Sequence, residues 1–207
     1  MNRSLTNKDL VCVLLFVLGF LHVLWIYPQL PEQFAVHFDM AGQADRYVGL
    51  PWGAYEVLVV GLPVALFIRT VAFFEKNPAR LRHLLAVQIA VSFAFVSISF
   101  VLLQAAAGYN LDPVRAMWLV TGVVFLVTFN GLGKLPKNAI KWLRSANEIS
   151  EENAKLLNRF GGYLGCSFGM CMILMYFSSL NLTPMGFVAL ILVFVAALHF
   201  YAHKLIT

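Results

Sequence analysis

The sequence predicts an all-α fold: a polytopic transmembrane bundle of about six spanning helices with both termini in the cytoplasm. Three observations carry that reading. Of the 207 residues 60% are apolar and 12% charged, with a mean hydropathy of +0.78. A soluble domain carries roughly 25% charged residues, so most of this surface must face something other than water. The apolar residues also gather into runs long enough to cross about 30 Å of hydrocarbon at about 1.5 Å per residue. Finally, the basic residues sit in alternate connections between those runs.

The predicted spans are Leu10–Tyr27, Tyr55–Phe74, Leu84–Leu103, Ala116–Leu132, Phe160–Leu180 and Met185–Tyr201. Arg3 and Lys8 precede the first, as in a signal peptide. It is longer than a usual signal core, however, and no small-x-small cleavage site follows Tyr27, so it is read as a retained helix. Pro28, Pro31, Pro51, Pro78, Pro113, Pro136 and Pro184 all fall between spans. Pro63 alone lies within one, two residues after Gly61, and a bend is expected there. The short Asn181–Pro184 link makes the last two spans an antiparallel hairpin.

Thirteen of the 15 basic residues lie in the termini and the even-numbered connections, against Arg46 and Arg115 in the others. The positive-inside rule then places both termini in the cytoplasm, which requires an even number of spans. Trp25, Tyr27, Trp52, Tyr55, Tyr109, Trp118 and Tyr176 form the expected outer aromatic belt, with Trp142 and Tyr201 near the inner face. The pI of about 9.2 is thus an orientation signal, and no nucleic-acid partner is predicted. Cys12, Cys166 and Cys171 lie inside apolar runs and read as packing residues. Two regions are predicted, residues 1–132 with an outer loop at 28–54, and residues 133–207, together forming one structural unit.

Intramembrane polar groups fall into two layers. His22, Glu56 and Gln104 lie toward the outer face, and Arg69, Gln88, Asn130 and His199 toward the inner face. Ionisable groups at such depth face the bundle interior, either as interhelical hydrogen bonds or as a ligand or proton site. His22 and Glu56 are expected within hydrogen-bonding reach of each other, directly or through one water. In the outer loop, Pro, aromatic and β-branched residues argue for order. His37 and Asp39 share a side if the chain is extended, Met40-Ala41-Gly42-Gln43 reads as a turn, and Asp45 follows it. Asp39 or Asp45 is expected to cap backbone N–H groups. His37, Asp39 and Asp45, with Glu32 nearby, fall short of a convincing ligand set, so neither a metal nor a cofactor is predicted.

In the long inner connection, Ser150 reads as a helix N-cap with Glu151 and Glu152 in the first turn of a helix that runs on into the fifth span. Glu151, Lys155 and Arg159 fall four apart on one face. Ile140, Trp142 and Leu143 among Lys137, Lys141 and Arg144 suggest a stretch lying on the membrane surface. Gly161, Gly165 and Gly169, also four apart, would let another helix approach closely. No nucleophile elbow, zinc-protease or phosphate-loop motif is present, and enzyme chemistry is not supported.

Two stretches resemble a known family. Leu30-Pro31-Glu32, His37-Phe38-Asp39, Gly42 and Asp45 resemble the Leu-Pro…His-Phe-Asn…Gly…Asp loop of a small bacterial membrane domain of unknown function, with Asp39 in place of Asn. That domain often precedes the Sdp-type immunity region. Leu135-Pro136-Lys137, Leu143-Arg144-Ser145, Ile149-Ser150-Glu151-Glu152 and Asn158-Arg159-Phe160-Gly161-Gly162 look like that region, with Asn158 where His is usual. The resemblance implies a bacterial cytoplasmic-membrane protein of toxin-peptide immunity or signal transduction. His37, Asp39, Gly42 and Asp45 would meet an extracellular peptide, while Arg144, Glu151, Glu152, Arg159 and Gly161 would report to a cytoplasmic regulator. The alternative is a small transporter or a lipid-active membrane enzyme using His22 and Glu56.

Overall fold

The computed structural model describes residues 6–39, 43–135, 150–178, 192–197, 200, 201 and 204. Its helices are α1 (Asn7–Ile26), α2 (Trp52–Phe74), α3 (Pro78–Ala106), α4 (Pro113–Asn130) and α5 (Glu151–Phe177), and residues 192–197 are also helical. Among the described residues, five helices are long and apolar enough to cross a membrane, and no more than 33% of the apolar stretch of any of them is buried within the protein. The remaining apolar surface needs hydrocarbon around it. The sixth expected span lies largely outside the described residues, as do the Asn181–Pro184 link and the Trp142 stretch. Within 192–197, Phe194 lies edge-on to Phe129 at 5.8 Å and tilted against Phe168 at 5.7 Å.

Local chemistry explains where the helices begin. Thr6 and Asp9 form a capping box on α1, each side chain satisfying the other's backbone N–H. Asn77 and Asp112 cap α3 and α4 and are each followed by proline at the first helical position, where the missing N–H is not needed. Ser150 accepts from the Asn153 N–H at 3.1 Å and starts α5 with Glu151 and Glu152 in its first turn, as the sequence predicts. Helix α5 therefore begins about two and a half turns before Phe160, the start of the expected span. Glu151, Glu152, Arg159 and Gly161 lie on the helix that the Ser150 cap predicts. Helix α2 continues through Pro63, and just after α3 and its C-cap Ala107 the chain turns at Gly108, whose φ of 84° suits a residue without Cβ.

The first long connection contains the element that an all-α reading omits. After a 3₁₀ turn at Tyr27–Gln29, strands β1 (Gln33–Phe38) and β2 (Ala44–Gly49) pair antiparallel in a two-stranded sheet. The register shifts on both sides of His37, an irregularity of the bulge type that re-aims side chains.

Helix α3 is central, packing against α1, α2 and α4, while α5 packs on α4. Glycine makes these crossings close. A Cβ on Gly122 would stand 2.6 Å from the Gly169 carbonyl oxygen, and one on Gly169 would stand 2.7 Å from the Gly122 oxygen. The α5 face toward α4 carries the expected Gly165 and Gly169 and, in addition, Gly162. Gly161 is buried.

The helices alternate in direction, which gives the molecule two distinct ends. Lys8 Nζ donates to the Arg82 carbonyl at 3.3 Å, bringing together the starts of α1 and α3. His83, on the first turns of α3, lies beside Gly131 at the end of α4. This is the basic end. At the hairpin end, the Tyr109 hydroxyl donates to Gln29 Oε1 at 3.1 Å, and the Arg115 guanidinium donates to the Ser178 carbonyl.

Candidate functional site

The hairpin is anchored by apolar packing and by one ion pair. Phe34 of β1 is 4% exposed and joins a core with Val23, Ile26, Ala54, Leu58 and Leu103 from the first three helices. Burying a Phe side chain contributes about 1.5–3 kcal/mol. Arg46 of β2 donates to Glu56 Oε1 at 2.5 Å, near the start of α2. The Glu56 side chain is 16% exposed and that of Arg46 57%, so the pair is half solvated and contributes about 1 kcal/mol at most. Glu56 Oε2 is buried without a hydrogen-bond partner among the described residues.

The tip of the hairpin carries the polar residues singled out in the sequence. His37 Nδ1 lies 2.5 Å from Asp45 Oδ1, and both side chains are well exposed. His37 pairs across the strands with Asp45. Asp39 turns to the loop instead, its Oδ1 accepting from the Gln43 N–H at 2.8 Å, while its own N–H donates to the Gln43 carbonyl at 2.8 Å. That is the backbone-capping role expected of it. Gly42 lies outside the described residues.

Below the hairpin, His22 and Glu56 do not share a partner. His22 Nε2 is 3.1 Å from Gln104 Nε2, and its ring rests 4.3 Å from that of Phe100. Glu56 is engaged by Arg46. The outer polar layer thus splits into an interhelical α1–α3 contact and a helix–hairpin contact.

At the opposite end, Arg69 finds a partner that sequence reasoning missed. Its Nε lies 2.6 Å from Asp9 Oδ1, with the Asp9 side chain 5% exposed and that of Arg69 21%. The approach is off-line for a hydrogen bond, so this is a close ion pair. Asp9 Oδ2 is occupied by the Thr6 N–H at 2.8 Å and the Thr6 hydroxyl at 2.9 Å. The Thr6-x-x-Asp9 capping pattern was the available signal for a fixed carboxylate.

Gln88 is 4% exposed on α3, and its Oε1 has no partner among the described residues. Asn130 is the exposed last residue of α4. Asn158 is 4% exposed and donates to the Leu135 carbonyl at 2.8 Å, fixing the chain where it leaves the turn after α4. Glu151 and Lys155 pair at 3.1 Å along α5, as their spacing predicts. His199 and Arg144 lie outside the described residues. Among the described residues, no three His, Cys, Asp or Glu side chains converge on one point.

No curated protein and no solved structure matches the chain. Residues 14–62 match a family model described as a domain of unknown function (DUF1648). The matched segment takes in most of α1, the whole β1–β2 hairpin and the first half of α2, including His22, His37, Asp45, Arg46 and Glu56. The chain is therefore a helical, membrane-type protein that is similar to DUF1648 over the segment that builds and anchors its hairpin.

Proposed function

We propose that this is a non-enzymatic, multi-pass protein of a bacterial cytoplasmic membrane that recognises a cationic peptide or envelope component through the β1–β2 hairpin. Both termini would be cytoplasmic, and the basic end would act as the output surface toward a cytoplasmic regulator. The observation that carries this reading is the construction of the hairpin: Phe34 buries its base and the Arg46–Glu56 pair ties β2 to α2, while His37 and Asp45 are presented together toward its exposed tip. A rigid base with polar groups held in fixed geometry suits recognition, because little ordering is lost on binding.

Charge supports the choice of a cationic ligand. Glu32, Asp39, Asp45 and Glu56 against Arg46 give the loop and helix start a formal charge of −3. Such a surface raises the local concentration of a cation within a Debye length of about 8–10 Å. The proposed division near residue 132 is into regions rather than separate folding units, a reading supported by the close α4–α5 packing across it.

The test is direct binding of synthetic cationic peptides to the full chain in nanodiscs at two salt concentrations. Saturable binding that weakens with salt, and that is lost in His37→Ala and Asp45→Ala while both variants keep the wild-type melting temperature, is the expected result. Undiminished binding by both variants would remove the hairpin tip from the function.

A further inference from the structure

A second site stands at the basic end, apart from the hairpin. A cavity of about 340 Å³ opens between the end of α4 with its following 3₁₀ turn and the third to fifth turns of α5. That volume lies in the range of about 300–1,000 Å³ typical of small-molecule sites. Lys134 and Arg159 line it, both exposed, and neither has a carboxylate partner among the described residues. Asn130 adds an exposed amide.

The rest of the lining is of different character. Phe129 and Cys166 supply apolar wall, and Tyr163 is 74% exposed beside them. Phe129 is held by stacking on Phe125 at 5.2 Å, so that wall is fixed. The backbones around the cavity are held by close approach: a Cβ on Gly133 would meet the Arg159 Cα at 3.3 Å, and one on Gly162 the Phe129 carbonyl at 3.1 Å. Asn158 ties down the chain just beyond Lys134 through the Leu135 carbonyl. The two cations are therefore carried on a pre-formed frame.

From this juxtaposition we infer that the cavity is a binding site for an anionic phospholipid. Its phosphate is held by Lys134 and Arg159, and the start of its acyl chain runs along Phe129, Tyr163 and Cys166. Guanidinium and ammonium are the groups that recognise a phosphate oxyanion. A free phosphate would have no use for the apolar wall, and a neutral lipid none for the paired cations. A Tyr ring with one wet and one apolar side is suited to the level where headgroup meets chain.

The experiment is native mass spectrometry of the full chain in mild detergent, titrated with phosphatidylglycerol, phosphatidylcholine or inorganic phosphate. Wild type should retain phosphatidylglycerol in preference to phosphatidylcholine, and excess inorganic phosphate should not displace it. K134Q/R159Q should weaken phosphatidylglycerol binding by about tenfold or more, since each basic side chain near an anionic lipid matters by roughly fivefold. K155Q removes a cation of α5 that is already paired with Glu151 and should bind as wild type does. Both variants alter exposed side chains, and an unchanged melting temperature without lipid confirms that they are folded. Equal binding by K134Q/R159Q and wild type would overturn the site. Equal retention of phosphatidylcholine, or displacement by phosphate alone, would overturn its identity as an anionic-lipid site.

Discussion

Removing one partner of the Asp9–Arg69 pair should destabilise the bundle strongly, and removing both should recover part of the loss. The charges are in contact at 2.6 Å (N···O), with Asp9 almost wholly enclosed. Taking about 4 Å between charge centres and an effective dielectric near 20, the attraction is about 4 kcal/mol before desolvation is subtracted. Arg69→Met strands the Asp9 carboxylate, and leaving a buried charge unpaired costs about 3–5 kcal/mol. Asp9→Asn keeps an oxygen for the Thr6 cap but strands Arg69. With 21% exposure and a long stem, that side chain can turn its head toward interfacial water, so the loss is smaller, about 1–2 kcal/mol. The double variant should lie above the sum of the singles by about 1–3 kcal/mol, the coupling of two groups in direct contact. Unfolding by denaturing detergent, followed by loss of helical circular dichroism, measures all four corners of the cycle. Additivity within about 0.5 kcal/mol, or an Arg69→Met variant as stable as wild type, would refute the reasoning.

Three further outcomes are expected. Gly169→Val would press side-chain atoms into the Gly122 carbonyl and Phe125, where even a Cβ would stand at 2.7 and 3.0 Å, and should cost about 1–3 kcal/mol in the same unfolding assay. Arg46→Met removes the ion pair that ties β2 to α2 and should speed amide exchange across Gln33–Phe38 and Ala44–Gly49 by up to about fivefold, with α3 unchanged; an unaltered hairpin would show that Phe34 alone anchors it. Single cysteines at Gln33 and Lys155, in a background lacking Cys12, Cys166 and Cys171, should react with an impermeant thiol reagent from opposite sides of the membrane, and labelling from one side would contradict the alternating topology.

Much of the helical frame was legible because its signals are local. Asn77-Pro78, Asp112-Pro113 and Ser150-Glu151-Glu152 each write a helix start within two or three residues, and each is used. The apolar runs located the first five helices for the same reason. What escaped depends on pairing across distance. Nothing near Asp9 announces Arg69, sixty positions away, and nothing near Glu56 announces that Arg46 outbids His22 for it. His37 was read against Asp39 from its spacing in an extended chain, but the turn brings Asp45 back across the sheet to meet it. The α5 glycines were read at strict four-residue spacing, whereas a crossing helix tracks a seam of three and four, which adds Gly162 to Gly165 and Gly169.

The central place of α3 has a mechanical consequence. The hairpin rests on α1, α2 and α3, while the cationic cavity is framed by α4 and α5, and the extensive contact between these groups runs along the α3–α4 seam. A load applied at the hairpin therefore travels first along a rigid rod of 29 residues and is handed sideways only at that seam. Beyond it, the close Gly122–Gly169 backbone approach leaves α4 and α5 almost no room to slide past each other. Among the described residues the α3–α4 seam is thus the main join between the hairpin and the cavity, and substitutions along it should uncouple the two ends without altering either of them.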